Sequence, residues 1–265
     1  MRVGVVGCTG RMGRMLIAQI ASTPDCSVGG GTARAGSDVI GRDVGLVAGL
    51  EPLGVPVSDD PVGLFAGADA VIDFTTPAAT ARHAALAAQA GTVHVVGTTG
   101  LGAAEQEAIV RAAHHAPIVQ APNMSLGVNL LTALVEQVAR TLGPDFDIEI
   151  LEMHHRRKVD APSGTALGLG RAAAAGRGAD LDAVAARARD GHTGARRQGD
   201  IGFAVLRGGD VVGDHLVTFA GEGERIELGH RASSRAIYAV GAVRAALWAR
   251  TQPPGLYSMR DVLGL

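Results

Sequence analysis

Short β-branched runs alternate with alanine-rich stretches through the first half of the chain. The runs at 2–7 (RVGVVG), 70–75 (AVIDFT), 93–99 (VHVVGTT) and 117–123 (PIVQAPN) are apolar almost throughout, the pattern of parallel strands covered on both faces. Between them, Arg11–Ala21, Ala78–Ala90 and Ala103–His115 read as helices, and SVGGGTAR (27–34) predicts a second strand interrupted by glycine. Strand–helix alternation of this kind predicts an open, doubly wound α/β sheet. After residue 125 the pattern changes. A helix over Gly127–Leu142 leads into the strand-like DFDIEILEMHHRR, residues 163–175 read as helix, and the polar, Gly/Arg-rich stretch 176–200 reads as a long loop. Residues 201–230 alternate apolar and polar around Gly-Gly-Asp and Gly-Glu-Gly turns, which predicts an antiparallel meander. A last helix, Ser233–Arg250, is rich enough in Ala, Val and Leu to pack back on the first domain.

Composition narrows the function classes. With 265 residues, 47% hydrophobic and 19% charged, the chain has the make-up of a globular protein with a real core. A net charge of −2 argues against a general nucleic-acid binder. Cys8 and Cys26 are too few and too isolated for a disulfide framework or a thiolate zinc site. No run approaches the ~18 apolar residues of a membrane span, and the opening MRVGVVG reads directly as a strand. These features lead us to expect a cytoplasmic protein without a membrane or nucleic-acid partner.

The first candidate site is the stretch VGVVGCTGRMGRML. It places Gly7, Gly10 and Gly13 between a strand and a helix, where backbone amides and the helix dipole hold a pyrophosphate; the alternative is a plain tight turn. Strand 2 of a dinucleotide fold commonly ends in a carboxylate that binds the ribose 2′-hydroxyl. Here it ends Thr32-Ala33-Arg34, so Arg34, with Arg11, points to a 2′-phosphate and hence to NADPH, unless Arg34 is only a solvated charge. Gly97-Thr98-Thr99 and Ala121-Pro122-Asn123-Met124-Ser125 follow later strands at the edge that lines the ligand crevice in such sheets.

The second candidate is EMHHRRKVDAPSGTA, residues 152–166, and it contains the only lysine, Lys158, among 24 basic residues. Arginine keeps its proton under all ordinary conditions, whereas a partly desolvated ammonium can give one up. A chain that writes its other positive charges as arginine therefore marks Lys158 as a proton donor. In an unbroken strand His154, Arg156 and Lys158 share one face and His155 the other. Adjacent strand histidines without a nearby thiol or carboxylate at ligand spacing make a metal site an unfavoured reading. Ser163 has the position of an N-cap, and the Gly164 and Thr165 amides then sit at a helix start that suits a carboxylate. The alternative is an ordinary capped helix beneath a solvated charge cluster.

With both motifs in hand the chain resembles the dihydrodipicolinate reductase family. The stretches that carry the likeness include GCTGRMGRM, IDFTTP, VVGTTG, APNMSLGVN, IEILEMHHRRKVDAPSGTA, IGFAVLRGGDVVGDH and HRASSR, and they span essentially the whole chain. The resemblance implies a Rossmann-type dinucleotide-binding domain, 1–126 completed by 233–265. It also implies an inserted α+β domain with a mostly antiparallel or mixed sheet, 127–232, that binds substrate and builds a homotetramer. It implies reduction of a cyclic imine dicarboxylate to tetrahydrodipicolinate, in lysine and diaminopimelate biosynthesis, with NADPH or NADH and no metal. Carried onto matching positions, Gly7, Cys8, Thr9, Gly10, Arg11, Met12, Arg34, Gly97, Thr98, Thr99, Ala121, Pro122, Asn123 and Met124 would contact the cofactor. His154 and Lys158 would be the acid/base pair, and His155, Ser163, Gly164 and Thr165 would bind substrate. For His155 to join Lys158 the strand must bend after His154.

Three positions depart from the family pattern: Ala33 for an acidic residue, Met124 for Phe and Thr76 for Arg. The first bears against NADH more than NADPH; the last removes a side-chain contact to the cofactor. Two rival readings are another NADPH-dependent imine or amino-acid reductase of the same architecture and a non-catalytic NADPH-binding regulator.

Overall fold

The apolar runs of the first half become a ladder of short parallel strands in the computed structural model, which describes residues 1–265. In chain order these are β1 (Arg2–Val6), α1 (Arg11–Ser22), β2 (Ser27–Thr32), α2 (Val44–Ala48), β3 (Val57–Ser58), α3 (Pro61–Gly67) and β4 (Ala70–Asp73). They continue with α4 (Pro77–Ala90), β5 (Val93–Val96), α5 (Ala103–Ala113) and β6 (Pro117–Gln120). The second half holds α6 (Leu126–Leu142), β7 (Asp147–His154), α7 (Gly164–Gly176), α8 (Leu181–Val184), β8 (Ala185–Ala186), β9 (Ile201–Arg207), β10 (Gly213–Gly221) and β11 (Glu224–Ala232). The chain ends with α9 (Ala236–Ala249), β12 (Gly255–Tyr257) and α10 (Met259–Leu263). None of its helices is long and apolar enough to cross a membrane.

Two compact units result: Met1–Leu126 with Ala236–Leu265, and Gly127–Arg235. The first has a seven-stranded sheet in the order β12-β6-β5-β4-β1-β2-β3, with every pairing parallel. The order reverses between β1 and β4, the place where doubly wound sheets open their ligand crevice. Helix α9 is buried on nearly all sides, at Ala239, Gly241, Ala242, Val243, Ala245, Ala246 and Ala249. Such small side chains let it lie close against α1 and the β4–β6 strands.

The second unit carries a five-stranded mixed sheet, β11-β10-β7-β9-β8. This corrects the expected antiparallel meander over 201–230. Only β10 and β11 form a hairpin; β9 pairs in parallel with β7, which separates it from β10. The reason lies in the Gly-Gly-Asp segment. Its backbone does not close a hairpin but bonds the end of β7: the Gly208 amide donates to the His154 carbonyl, His155 to Val211, and Arg156 to Gly209. Alternation shows that a stretch is a strand and is silent about its partner. The long loop at 176–200 is likewise broken by α8 and β8. Its later part is pinned by Arg196, which reaches Glu149, Asp147 and the Ile148 carbonyl.

Strand β7 fixes the geometry that matters for function. Its burial alternates, with Ile148, Ile150, Glu152 and His154 inward. The two isoleucines join the apolar core with Phe203, Val217, Phe219, Leu169 and Ala173. The same inward row then ends in a carboxylate and an imidazole.

Candidate active site

In the first unit the chain turns sharply out of β1. Gly7 sits at φ +68, and a Cβ there would lie 2.9 Å from Thr75 Cγ2, so both conformation and space call for glycine. A Cβ on Gly13 would meet the Gly7 carbonyl oxygen at 2.3 Å, and this close approach seats α1 against the loop. Helix α1 has no side-chain cap at its N-terminus. Helix geometry therefore leaves the amides of Arg11 and Met12 for an incoming acceptor. Not every amide from Gly7 to Met12 is open to an acceptor. The Cys8 amide is already bonded to the Thr32 carbonyl at 3.0 Å, the Gly10 amide to Gly7 at 3.1 Å, and burial pushes the Cys8 thiol up to about 11. Arg11 and Arg34 are both exposed, Arg34 just past the end of β2.

Beneath the other loops of this edge lies a buried polar cluster that the sequence reading missed. Asp73, wholly buried at the end of β4, accepts from His83 Nδ1 at 2.7 Å and faces His94 Nε2 at 3.4 Å. It also accepts from the Thr75 amide and hydroxyl and from Thr98 Oγ1. Burial works to raise the Asp73 pKa, but the His83 and His94 contacts outweigh it and hold the carboxyl far below the ordinary range. This cluster fixes Thr98, while Gly97 is pressed on the Phe74 ring. In the next loop Ala121 and Met124 are buried in the core, and Pro122 is exposed. The Met124 side chain is therefore part of the packing.

In the second unit β7 stops at His154 and the chain turns, with the Lys158 amide donating to the His155 carbonyl. The bend that the resemblance required is present. Lys158 pairs with Asp160 at 2.8 Å, its side chain only 20% exposed, so the ammonium is held at the edge of solvent. The Lys158 hydrogen bond in turn lowers the Asp160 pKa. Ser163 caps α7, its hydroxyl accepting from the Ala166 amide at 3.1 Å. Gly164 is exposed at the helix start and Thr165 half-buried beside it. His155 lies 3.4 Å from Arg235, and desolvation together with that guanidinium lowers its pKa.

Three further side chains converge here without having been singled out from the sequence: Glu152, Arg207 and His215. Glu152 is 1% exposed. It takes both terminal nitrogens of Arg207 at 2.7 and 2.9 Å, His154 Nδ1 at 2.6 Å and the Ser163 amide at 2.9 Å. Burial works to raise its pKa, and these donors prevail and lower it. His215, opposite Glu152 across the ladder, shares a 3.0 Å hydrogen bond with Ser163 Oγ and sets its ring edge against His154 at 5.1 Å. The signal was there in the alternation. Glu152 and His215 occupy inward positions of strands whose other inward residues are Ile148, Ile150, Val217 and Phe219, and a charge on a core row needs a partner.

Burial, reinforced by the neighbouring His154, pushes the His215 pKa down from 6.5 to about 4. His230 adds to this and Glu152 opposes it. Between those values the unfolded chain binds the proton and the folded chain does not, so stability falls as pH drops from 6.5 towards 4. A shift of that size is worth on the order of 3 kcal/mol. Urea midpoints at pH 7 and pH 4 are expected to fall less for His215→Gln than for the unaltered protein; equal losses would refute this origin.

Together the fold and the two clusters define a class: an oxidoreductase with a dinucleotide-binding Rossmann sheet and a separate unit bearing a histidine–lysine turn. The chain belongs to the dihydrodipicolinate reductase family, whose N-terminal region matches residues 1–124 and whose C-terminal region matches residues 127–263. A Methylocella silvestris protein named 4-hydroxy-tetrahydrodipicolinate reductase is 61% identical over 265 residues, covering 100% of this chain and 97% of its own. A Mesorhizobium japonicum protein named 4-hydroxy-tetrahydrodipicolinate reductase 1 is 62% identical over 262 residues, covering 98% and 96%. The dipicolinate-bound dihydrodipicolinate reductase from Paenisporosarcina sp. TG-14 shares the fold, with a TM-score of 0.79, 22% identity and 98% of each chain covered.

Proposed function

We propose that this chain catalyses the 4-hydroxy-tetrahydrodipicolinate reductase reaction: NADPH-dependent reduction of a cyclic imine dicarboxylate to tetrahydrodipicolinate, on the route to diaminopimelate and lysine. The observation that carries it is the strand–turn–helix from Glu152 to Thr165, which joins His154 and Lys158 to the start of α7. The names of the relatives and the dipicolinate held by the Paenisporosarcina protein support the same substrate class.

The residues of the first unit fit a dinucleotide, with a positive-φ glycine, a close helix approach and an uncapped helix start. Gly7 to Met12, Arg34, Gly97 to Thr99 and Ala121 to Asn123 would hold it. A bound reduced nicotinamide would supply hydride to one end of the conjugated C=C–C=N system. The other end then needs a proton, which is the part left to a donor side chain beside the ring. In this reading the Lys158 ammonium gives that proton, His154 assists, and His155 with the Ser163–Thr165 helix start holds the substrate carboxylates. Residues 1–126 with 233–265 would bind the dinucleotide and 127–232 the substrate. The outward face of the second sheet exposes Leu151 and Leu206 on an open apolar groove, which favours assembly of that sheet into a homotetramer. A cytoplasmic location fits this biosynthetic reading.

The test is NADPH oxidation with freshly prepared substrate, inhibited competitively by pyridine-2,6-dicarboxylate. Cofactor binding without turnover would overturn the proposal. Arg34→Ala is expected to raise KM for NADPH by roughly 10- to 100-fold, the scale of one charged hydrogen bond, while kinetics with NADH stay nearly unchanged. An equal effect on both cofactors would remove the 2′-phosphate role.

A further inference from the structure

We propose that Glu152 is a positioning residue that fixes the proton of neutral His154 on Nδ1, leaves Nε2 as its working nitrogen, and ties that nitrogen to the start of α7. The proposal rests on the reading of His154 as an acid/base residue and adds the group that sets its orientation and tautomer.

Glu152 stands on the inward row of β7, where the preceding inward residues are isoleucines, and is as buried as they are. A carboxylate in that position costs stability unless donors surround it. Here Oε1 takes Arg207 Nη2 and the Ser163 amide, and Oε2 takes Arg207 Nη1 and His154 Nδ1. An ionised carboxylate can only accept. The ring nitrogen 2.6 Å away must therefore be the donor, and in the neutral imidazole the lone pair then sits on Nε2. The other side of the ring has been kept clear. A Cβ on Gly213 would lie 2.9 Å from His154 Nε2, so glycine opposite the ring leaves that nitrogen room which a side chain would take.

The same carboxylate reaches beyond the histidine. Through the Ser163 amide it holds the N-cap of α7, and Ser163 in turn holds His215, whose ring edge packs on His154. Arg207 completes the frame by bonding the Asp160 carbonyl, in the loop that carries Lys158. One buried ion thus registers the helix start, the histidine and the lysine loop against one another. This is the arrangement needed if the carboxylates of a substrate and its proton donor must be set at a fixed distance.

The experiment is long-range 1H–15N correlation of histidine-labelled protein, at a pH where His154 is neutral, with its signals assigned by their loss in His154→Gln. The expected wild-type result is the Nδ1–H tautomer, and an Nε2–H tautomer overturns the proposal whatever the kinetics. In Glu152→Gln the amide NH2 can face Nδ1 while its oxygen still accepts from Ser163, at the loss of the Arg207 Nη1 contact, so the tautomer should move towards Nε2–H. With it kcat should fall by roughly 10- to 100-fold, and KM for the dicarboxylate should change much less. An unchanged tautomer in folded Glu152→Gln sinks the idea; if that variant does not fold, the wild-type spectrum decides. Should His154→Gln retain full turnover, the acid/base reading of His154 fails, while the spectra still judge the hold of Glu152 on its ring.

Discussion

Lys158→Arg is expected to cut kcat by on the order of 10²-fold, the scale of one general acid, while pyridine-2,6-dicarboxylate still binds. The substitution keeps the positive charge. Arginine can also pair with Asp160, which holds the Lys158 ammonium at 2.8 Å. What it removes is a dissociable proton, because a guanidinium does not release one at any ordinary pH. A 10²-fold loss corresponds to about 2.7 kcal/mol of transition-state stabilisation. Because the lost interaction belongs to proton transfer, kcat and kcat/KM should fall together. Steady-state kinetics with the freshly made substrate checks this, and undiminished turnover would assign the proton to another group.

The second large effect is structural. A Cβ on Gly241 would lie 1.7 Å from the Met124 carbonyl oxygen, and a backbone atom cannot rotate aside as a side chain can. Gly241→Ala therefore forces α9 away from the 121–124 loop. Overpacking of this kind costs about 3 kcal/mol or more. A Tm lower by roughly 6 to 12 °C follows for a chain of this size. Since Ala121 to Asn123 also belong to the proposed dinucleotide site, NADPH affinity should weaken in the same variant. Calorimetry and cofactor titration read the two effects separately, and a Tm within a degree of the parent would show that the helix shifts without cost.

Much of this was legible in the residues. The parallel strands announced themselves as apolar runs, because strands covered on both faces have no polar side to show. The glycine loop and the Ser163 cap followed from local chemistry that needs only neighbouring residues, whereas the break after His154 was required only by the family resemblance. Pairing did not follow. That β9 lies beside β7 and not β10 depends on backbone hydrogen bonds between 208–211 and 154–156, a relation between segments far apart in the chain. The three-residue β12 and the short helices α2, α3 and α10 carry too few residues for periodicity to register. Asp73 with His83 and His94, and Glu152 with Arg207 and His215, were hidden for a related reason. Each residue alone is an unremarkable polar position, and only the fold brings them into contact. Glu152 and His215 were the exceptions within reach, since a carboxylate in phase with Ile148 and Ile150 and an imidazole in phase with Val217 and Phe219 break the alternation.

The split construction of the first unit sets an order of events during synthesis. Its sheet is made first, yet the core closes only when α9 and α10 supply Ala239, Val243, Ala246, Met259 and Val262 and β12 joins β6. Residues 127–235 are contiguous and already hold a core of their own. On the ribosome the later-synthesised unit can therefore settle before the earlier one. Until residues 236–265 arrive, β6 waits as an unprotected edge, the kind of surface on which nascent chains pair wrongly.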